Sequence, residues 1–195
     1  TKDEYFWQDL HVARQIYLTS PLKHVDVGSR IDGFVAHVAS FREIEVFDIR
    51  PMTARIPGMV FRQADLMNLP AAFDGYCDSL SCLHALEHFG LGRYGDPIDP
   101  LGYVAGLANM SRMLRCDGVF YLSVPVGIAR VEFNAHRVFD PEVLVQCAAA
   151  TGLRLQALAF IGTDQVLVQS SDPAADLREL AKLGYTLAIS TFIKQ

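Results

Sequence analysis

The segment "HALEH", residues 84–88, places two imidazoles and a carboxylate within five positions. If the chain is helical through "LHALEHF", His84 and His88 stand one turn apart on one face with Glu87 beside them. Two chemistries suit that set. His-x-x-Glu-His is the inverted zincin pattern, with two ligands and a Glu base, and would mean a zinc hydrolase. Short motifs match by chance, and the strand–helix order around this one belongs to another fold, so no essential zinc is expected. The second chemistry is general-base catalysis. Imidazole titrates near neutral pH, and Glu87 can orient His88 as it takes up a hydroxyl proton. His136, in "FNAHR", follows a later strand and can approach the same spot. The plain alternative is a helix first turn carrying solvated or hydrogen-bonded histidines.

A second chemistry-bearing stretch is "HVDVGSRIDGF", residues 24–34, which reads as a strand, a glycine-bracketed turn and a helix start. Gly28 and Gly33 have P-loop spacing, but Phe34 and Val35 replace the Lys and Ser/Thr that contact phosphates and metal. A dinucleotide fingerprint fits the outer glycines, while Arg30 takes the middle position and would crowd a pyrophosphate; a nicotinamide-dependent oxidoreductase is weakened accordingly. The third reading is a nucleoside ligand without a pyrophosphate, S-adenosylmethionine (SAM). It needs a tight turn, an acid for the ribose and a polar anchor for adenine. Asp48 ends the next strand, about 20 residues beyond Gly28, where a carboxylate can take both ribose hydroxyls. Asp65 in "QADL" follows the third strand at the same sheet edge and can accept from the adenine amino group.

These residues need a scaffold. Residues 3–18 read as an amphipathic helix with Phe6, Leu10, Ala13 and Tyr17 on one face, ended by Pro21. Strands follow at "KHVDVG", "IEVFDI", "GMVFRQ", "YCDSLS" and "GVFYLSVPV", with helices at "IDGFVAHVASF", "LHALEHF" and "LGYVAGLANMSRML". The remainder is helix 141–151, strand "LRLQALAFI", helix 173–183 and strand "YTLAISTFIK", in which Tyr185, Leu187, Ile189 and Ile193 share a face. Asp99-Pro100, Asp140-Pro141 and Asp172-Pro173 each read as a helix start, Asp capping free N–H groups and Pro giving up a donor that has no partner there. Strands alternating with helices make a doubly wound, mostly parallel α/β sheet with right-handed crossovers, and ligands there sit beyond the strand carboxyl ends beside strand one. The last strand, preceded by only a short helical excursion, is a candidate to enter antiparallel. All 195 residues read as one domain.

Composition excludes several classes. Apolar residues make up 51% and charged residues 20%, enough for a real core. A net charge of −5 gives no broad attraction to nucleic acid or anionic membranes. No apolar run is long enough to span a bilayer. The first residues, "TKDEYFWQDL", are too polar for a secretory signal. The four cysteines form no C-x-x-C pair, which suits reduced thiols in a cytoplasmic protein.

With these residues in view, the chain resembles the class I SAM-dependent methyltransferases, and more narrowly a bacterial and nematode group known as DUF268. The stretches that carry the resemblance are "HVDVGSRIDGFVAH", "DIRP", "ADLMNLP", "DSLSCLHALEHFGLGRYGDPIDP", "SVPVG" and "FNAHRVFDP". The resemblance implies a seven-stranded Rossmann-like sheet with its last strand reversed and SAM as cofactor. It further implies that Asp26, Gly28 and Ser29 meet the methionine end of SAM, Asp48 the ribose, Asp65 with Leu66 the adenine, and Ser81 the methionine amine. The usual turn of these enzymes is G-x-G-x-G, whereas Arg30 and Asp32 occupy its second and third glycine positions here, so a non-catalytic SAM-fold module is the rival reading. In the methyltransferase reading His88 or His136 is the general base with Glu87 orienting it; His84, Glu87, His88 and His136 also make a set that suits a divalent transition metal. The loop "GLGRYGDPIDP" would cover the site, with Arg93 and Arg137 as candidates to hold an anionic group of the acceptor. The acceptor itself is expected to be a small or sugar-like molecule taking the methyl on oxygen or nitrogen.

Overall fold

Runs of β-branched and aromatic residues set the strands. The computed structural model describes residues 4–132 and 136–195, so the "FNA" of "FNAHR" and the first three residues lie outside the described residues. β1 (His24–Val27), β2 (Ile44–Asp48), β3 (Met59–Gln63), β4 (Cys77–Leu83) and β5 (Leu114–Val126) are joined by parallel pairings. β6 (Arg130–Glu132) and β7 (His136–Val138) form a separate small hairpin. β8 (Leu153–Ile161), β9 (Leu167–Gln169) and β10 (Thr186–Lys194) complete the main sheet, whose order is β3-β2-β1-β4-β5-β10-β8-β9. β10 runs antiparallel to both β5 and β8, as its short approach suggested. The main sheet has eight strands rather than seven because β9 adds an antiparallel edge to β8. Three residues are too few to carry a period-two signal, so that strand exists only once β8 offers it a ladder.

The chain winds outward from β1 to β2 and β3, then returns to place β4 on the other side of β1. That reversal opens a crevice beyond the carboxyl ends of β1 and β4. Both sheet faces are covered, as a buried parallel sheet requires. One apolar layer gathers Val25, Val27, Phe47, Leu80, Leu122 and Phe192 beneath α3 (Gly102–Met113), α4 (Pro141–Ala150) and α5 (Pro173–Leu180). The other joins Val46, Leu83, Tyr121 and Ile189 to α1 (Glu4–Thr19) and α2 (Ala36–Ala39). No described helix is long and apolar enough to cross a membrane.

Two local expectations are corrected. The buried face of α1 is Gln8, Asp9, Val12, Ala13 and Ile16; of the apolar face read from sequence only Ala13 is buried, while Phe6, Leu10 and Tyr17 are exposed. The helix has apolar residues on more than one side, and the side chosen is the one that seats the Asp9 carboxylate directly over the bare Cα of Gly33. The segment "IDGFVAHVASF" is not one α-helix either. It opens with a wide π-type turn, Ile31–Val35, whose Val35 N–H reaches Arg30 C=O at 3.2 Å, before the four residues of α2. Asp140 and Asp172 cap α4 and α5, whereas Leu101 is the N-cap residue of α3 and Asp99 instead accepts from the Leu101 N–H, 2.9 Å.

Gly28 ends β1 with φ +68° and donates its N–H to Phe47 C=O at 2.9 Å. A Cβ there would stand 2.9 Å from that of Ala85. Gly28→Ala therefore combines left-handed strain with a clash and should cost about 1–3 kcal/mol of unfolding free energy in a urea titration. A variant as stable as the parent would show that this turn is not built as described.

Candidate active site

The register pairs Asp26 with Ser81 and His24 with Ser79 across β1 and β4. Asp26 is fully buried and accepts from the Ser29 N–H (3.1 Å), the Ser29 hydroxyl (2.6 Å) and the Ser81 hydroxyl (2.6 Å). Ser29 Oγ in turn accepts from the Leu83 N–H at 3.2 Å, tying the turn after β1 to the end of β4. The His24 ring contacts both Ser79 Oγ (2.8 Å) and Ser81 Oγ (3.1 Å), and burial pushes it down to about 3, so it is neutral. Desolvation pushes Asp26 up to about 6 even against its hydrogen bonds from Ser29 and Ser81. Asp26, Ser29 and Ser81, expected at the methionine end of SAM, are buried and hydrogen-bonded together, and none of the three lines the cavity.

A cavity of about 380 Å³ occupies the crevice. Gly28, Asp48, Asp65 and Leu66 line one end, together with Phe47 and Met67. The Ala64 N–H donates to Asp48 C=O at 3.0 Å, which brings the tips of β2 and β3 together. Asp65 accepts the Met67 N–H on Oδ1 (2.9 Å), leaving Oδ2 for another donor, and Asn109 Nδ2 holds Leu66 C=O at 2.8 Å. The Asp48 carboxylate is engaged by Arg50, whose Nε lies 3.0 Å from Oδ1 and 3.1 Å from Oδ2. Arg50 also lies over the Tyr94 ring, 4.8 Å from its centroid. Arg30, the residue that departs from the glycine pattern, is half-exposed at the rim, paired with Asp32 at 3.1 Å and lying over Tyr5.

The other end of the cavity is lined by Glu4, His84, Glu87, His88, His136 and Tyr185. "LHALEHF" is not a helix. His84 has φ +53°, and only a single 3₁₀ turn, Leu86–His88, follows. The two histidines therefore do not stack one turn apart, which removes the zincin geometry; among the described residues no group of three His, Cys, Asp or Glu side chains is arranged to hold a metal. The strand end forces this: the His84 N–H is held by Ser123 C=O of β5 at 2.9 Å, so the chain must turn before it can coil. The consequence is that Glu87, 1% exposed, meets His84 rather than His88: Nδ1 of His84 is 2.9 Å from Glu87 Oε1, against 3.9 Å for His88 Nε2. Tyr5 stacks on the His84 ring with centroids 4.5 Å apart, and His88 packs edge-on against Tyr94 at 5.5 Å. Glu4, Tyr5 and Tyr185 carry no motif and were not legible as site residues. They arrive from the first turn of α1 and the start of β10, and Tyr185 Oη donates to Glu4 Oε1 at 2.8 Å. Burial and that carboxylate push the Tyr185 phenol well above its ordinary range, so it stays protonated.

The loop "GLGRYGDPIDP" lies along the cavity, with Arg93, Tyr94 and Asp96 lining it. Asp96 organises it, accepting from the N–H groups of Gly90 (2.8 Å), Gly92 (3.2 Å) and Tyr94 (3.1 Å). Arg137, a candidate to hold an anionic group of the acceptor, does not line this cavity. It is 6% exposed, and its guanidinium donates to the carbonyls of Phe89, Glu87 (3.4 Å), Pro100 (3.3 Å) and Asp99 (3.5 Å), so it pins both ends of this loop.

Residues 54–150 match the family described as "Caenorhabditis protein of unknown function, DUF268". No curated protein matches the chain. Among solved structures, the chain is similar to 1,6-didemethyltoxoflavin-N1-methyltransferase of Burkholderia thailandensis, solved with 1,6-didemethyltoxoflavin and S-adenosylhomocysteine (14% identity, TM-score 0.67, covering 97% of this chain and 79% of that one). It is also similar to the N-methyltransferase NodS of Bradyrhizobium japonicum WM9 in complex with S-adenosylhomocysteine (14%, 0.61, 98% and 88%). A third is a SAM-dependent methyltransferase of Thermotoga maritima, a possible histamine N-methyltransferase (13%, 0.64, 98% and 89%). At these identities the likeness is one of fold.

The buried carboxylate beneath the site gives a pH signature. Its folded value, about 6, lies above the ordinary 3.8, so its contribution to stability is complete below about pH 4 and is lost as pH rises through 6. Between pH 4 and pH 8 the parent should lose about 3 kcal/mol relative to Asp26→Asn in chemical denaturation. Parallel pH profiles for the two proteins would refute the assignment.

Proposed function

We propose that this chain, a class I SAM-methyltransferase-like protein related to DUF268, binds SAM in the crevice and transfers its methyl group to a small-molecule acceptor, sugar-like acceptors included. One observation carries the reading: two carboxylates on adjacent strand tips, Asp48 and Asp65, share a single cavity with an imidazole–carboxylate pair on the far side of β1. The site fits the ligand. Gly28 lines the cavity without a side chain, Phe47 and Leu66 offer apolar walls to a purine, and each Asp can receive donors that a nucleoside has.

Asp48 accepts the ribose hydroxyls once Arg50 moves off its carboxylate. Asp65 Oδ2 accepts from the adenine amino group beside Leu66. Gly28 approaches the methionine end, while Asp26, Ser29 and Ser81 act from below by holding the turn in shape. SAM supplies a methyl on a sulfonium, a leaving group that needs no acid. What remains for the protein is to align the acceptor, exclude water and receive a proton. Glu87 fixes the His84 ring, leaving Nε2 as the base on the cavity side. His88 and His136 complete the wall, and the Asp96-organised loop with Arg93 and Tyr94 covers it.

Calorimetry should show binding of SAM and not of NAD, and Asp48→Ala should weaken SAM by about 100-fold. Unchanged affinity would sink this map of the site. His84→Ala should lower kcat for methyl transfer by about 10²–10⁴ while SAM affinity holds within a few fold. A non-catalytic SAM-fold module would share the first result and show no turnover for the second to reduce.

A further inference from the structure

We infer that the acceptor presents a primary amine, held as its ammonium ion among Glu87, His84 and Glu4; the inference rests on the methyl-transfer reading of the same cavity. His84 Nδ1–H donates to Glu87 Oε1, so Nε2 carries the lone pair. That nitrogen is buried and has no hydrogen-bond partner among the described residues. Glu4 Oε1, 3.5 Å away, is a second acceptor facing it. Glu87 Oε2 is also buried with no hydrogen-bond partner among the described residues, and His136 Nε2, likewise without a hydrogen bond, faces Glu132 Oε2 at 3.9 Å; Glu87 and His136 line the same end of the cavity. This end of the cavity thus gathers two carboxylates and the His84 Nε2 lone pair, with the Tyr185 O–H answering Glu4 Oε1. The cavity's cations are engaged elsewhere in part: Arg50 by Asp48 and Arg30 by Asp32, while Arg93 lies over the Tyr94 ring.

A ligand that completes this end must bring several hydrogen atoms and positive charge. A hydroxyl offers one proton and no charge. A carboxylate or phosphate would meet Glu87 and Glu4 with like charge. An alkylammonium carries three N–H bonds on one atom and forms charge-assisted hydrogen bonds to both kinds of acceptor. In the transfer, the ammonium gives one proton to His84 Nε2. The freed nitrogen lone pair forms the N–C bond to the methyl as the C–S bond breaks, and that electron pair stays on sulfur. The product is a methylammonium with two N–H bonds, and His84 returns its proton to solvent.

The test uses the whole chain saturated with S-adenosylhomocysteine and follows the His84 and His136 ring resonances by NMR. Benzylamine, ethanolamine and glucosamine are titrated against benzyl alcohol, ethylene glycol, glucose and benzoate. At least one amine should shift both rings with about tenfold higher affinity than its hydroxyl partner. Glu87→Gln, which keeps the shape and removes the charge, should erase that preference. The inference is overturned if the alcohols or benzoate bind as well as the amines, if no amine shifts the rings, or if Glu87→Gln keeps the preference. The same titrations without S-adenosylhomocysteine read the amine site on its own. Failure of S-adenosylhomocysteine to bind therefore counts against the methyl-transfer reading, and failure of the amines counts against this one.

Discussion

A single buried carboxylate sets the geometry of the crevice. Asp26 sits at the switch of strand order, fully buried, where an unpaired oxygen would be costly. Its hydrogen bonds run to the turn that follows its own strand and to the neighbouring strand, so β1, its turn and β4 are locked in one register. Because strand side chains alternate, a slip of one residue would turn Asp26 into the opposite apolar layer and send Val25 or Val27 toward the serines. The hydrophobic layers and the polar hub thus enforce the same pairing. Gly28, directly after the hub, is then free to present backbone to the cavity.

From that fixed turn the site divides by strand. The tips of β2 and β3 bring the Asp48 and Asp65 carboxylates to the cavity. The end of β4 brings His84 and Glu87, and the crossover after β5 brings His136. α1 closes this second half with Glu4 and Tyr5, held over the sheet by Asp9 packed on Gly33. Arg137 fastens the long loop at both ends by its carbonyls, a task that suits a rigid planar donor set with no need of a counter-charge. The centre of the loop, held by Asp96, keeps its own shape. Arg30 and Asp32, which break the usual glycine pattern, pair with each other at the rim, so the departure adds an ion pair without placing a side chain across Gly28.

The sequence by itself determined β1 to β5, β8 and β10, their mostly parallel order and the place of the crevice, because apolar runs, glycine turns and two of the three Asp-Pro caps are local signals written into adjacent residues; β6, β7 and β9, three residues each, carry no such signal. It also placed Asp48 and Asp65 beside the crevice, the first ending β2 and the second two residues beyond β3. Tertiary structure decided the rest. Whether Asp26 and Ser81 face a ligand or each other depends on the register of two strands 55 positions apart in sequence. Whether "HALEH" coils depends on the bond from His84 to Ser123, which no helix periodicity contains. Arg137 looks like a surface cation until four carbonyls surround it, and Glu4 and Tyr185 have no signature because they meet only when the two ends of the chain come together. Local propensity fixes elements; long-range hydrogen bonding and burial fix which side chains remain for chemistry.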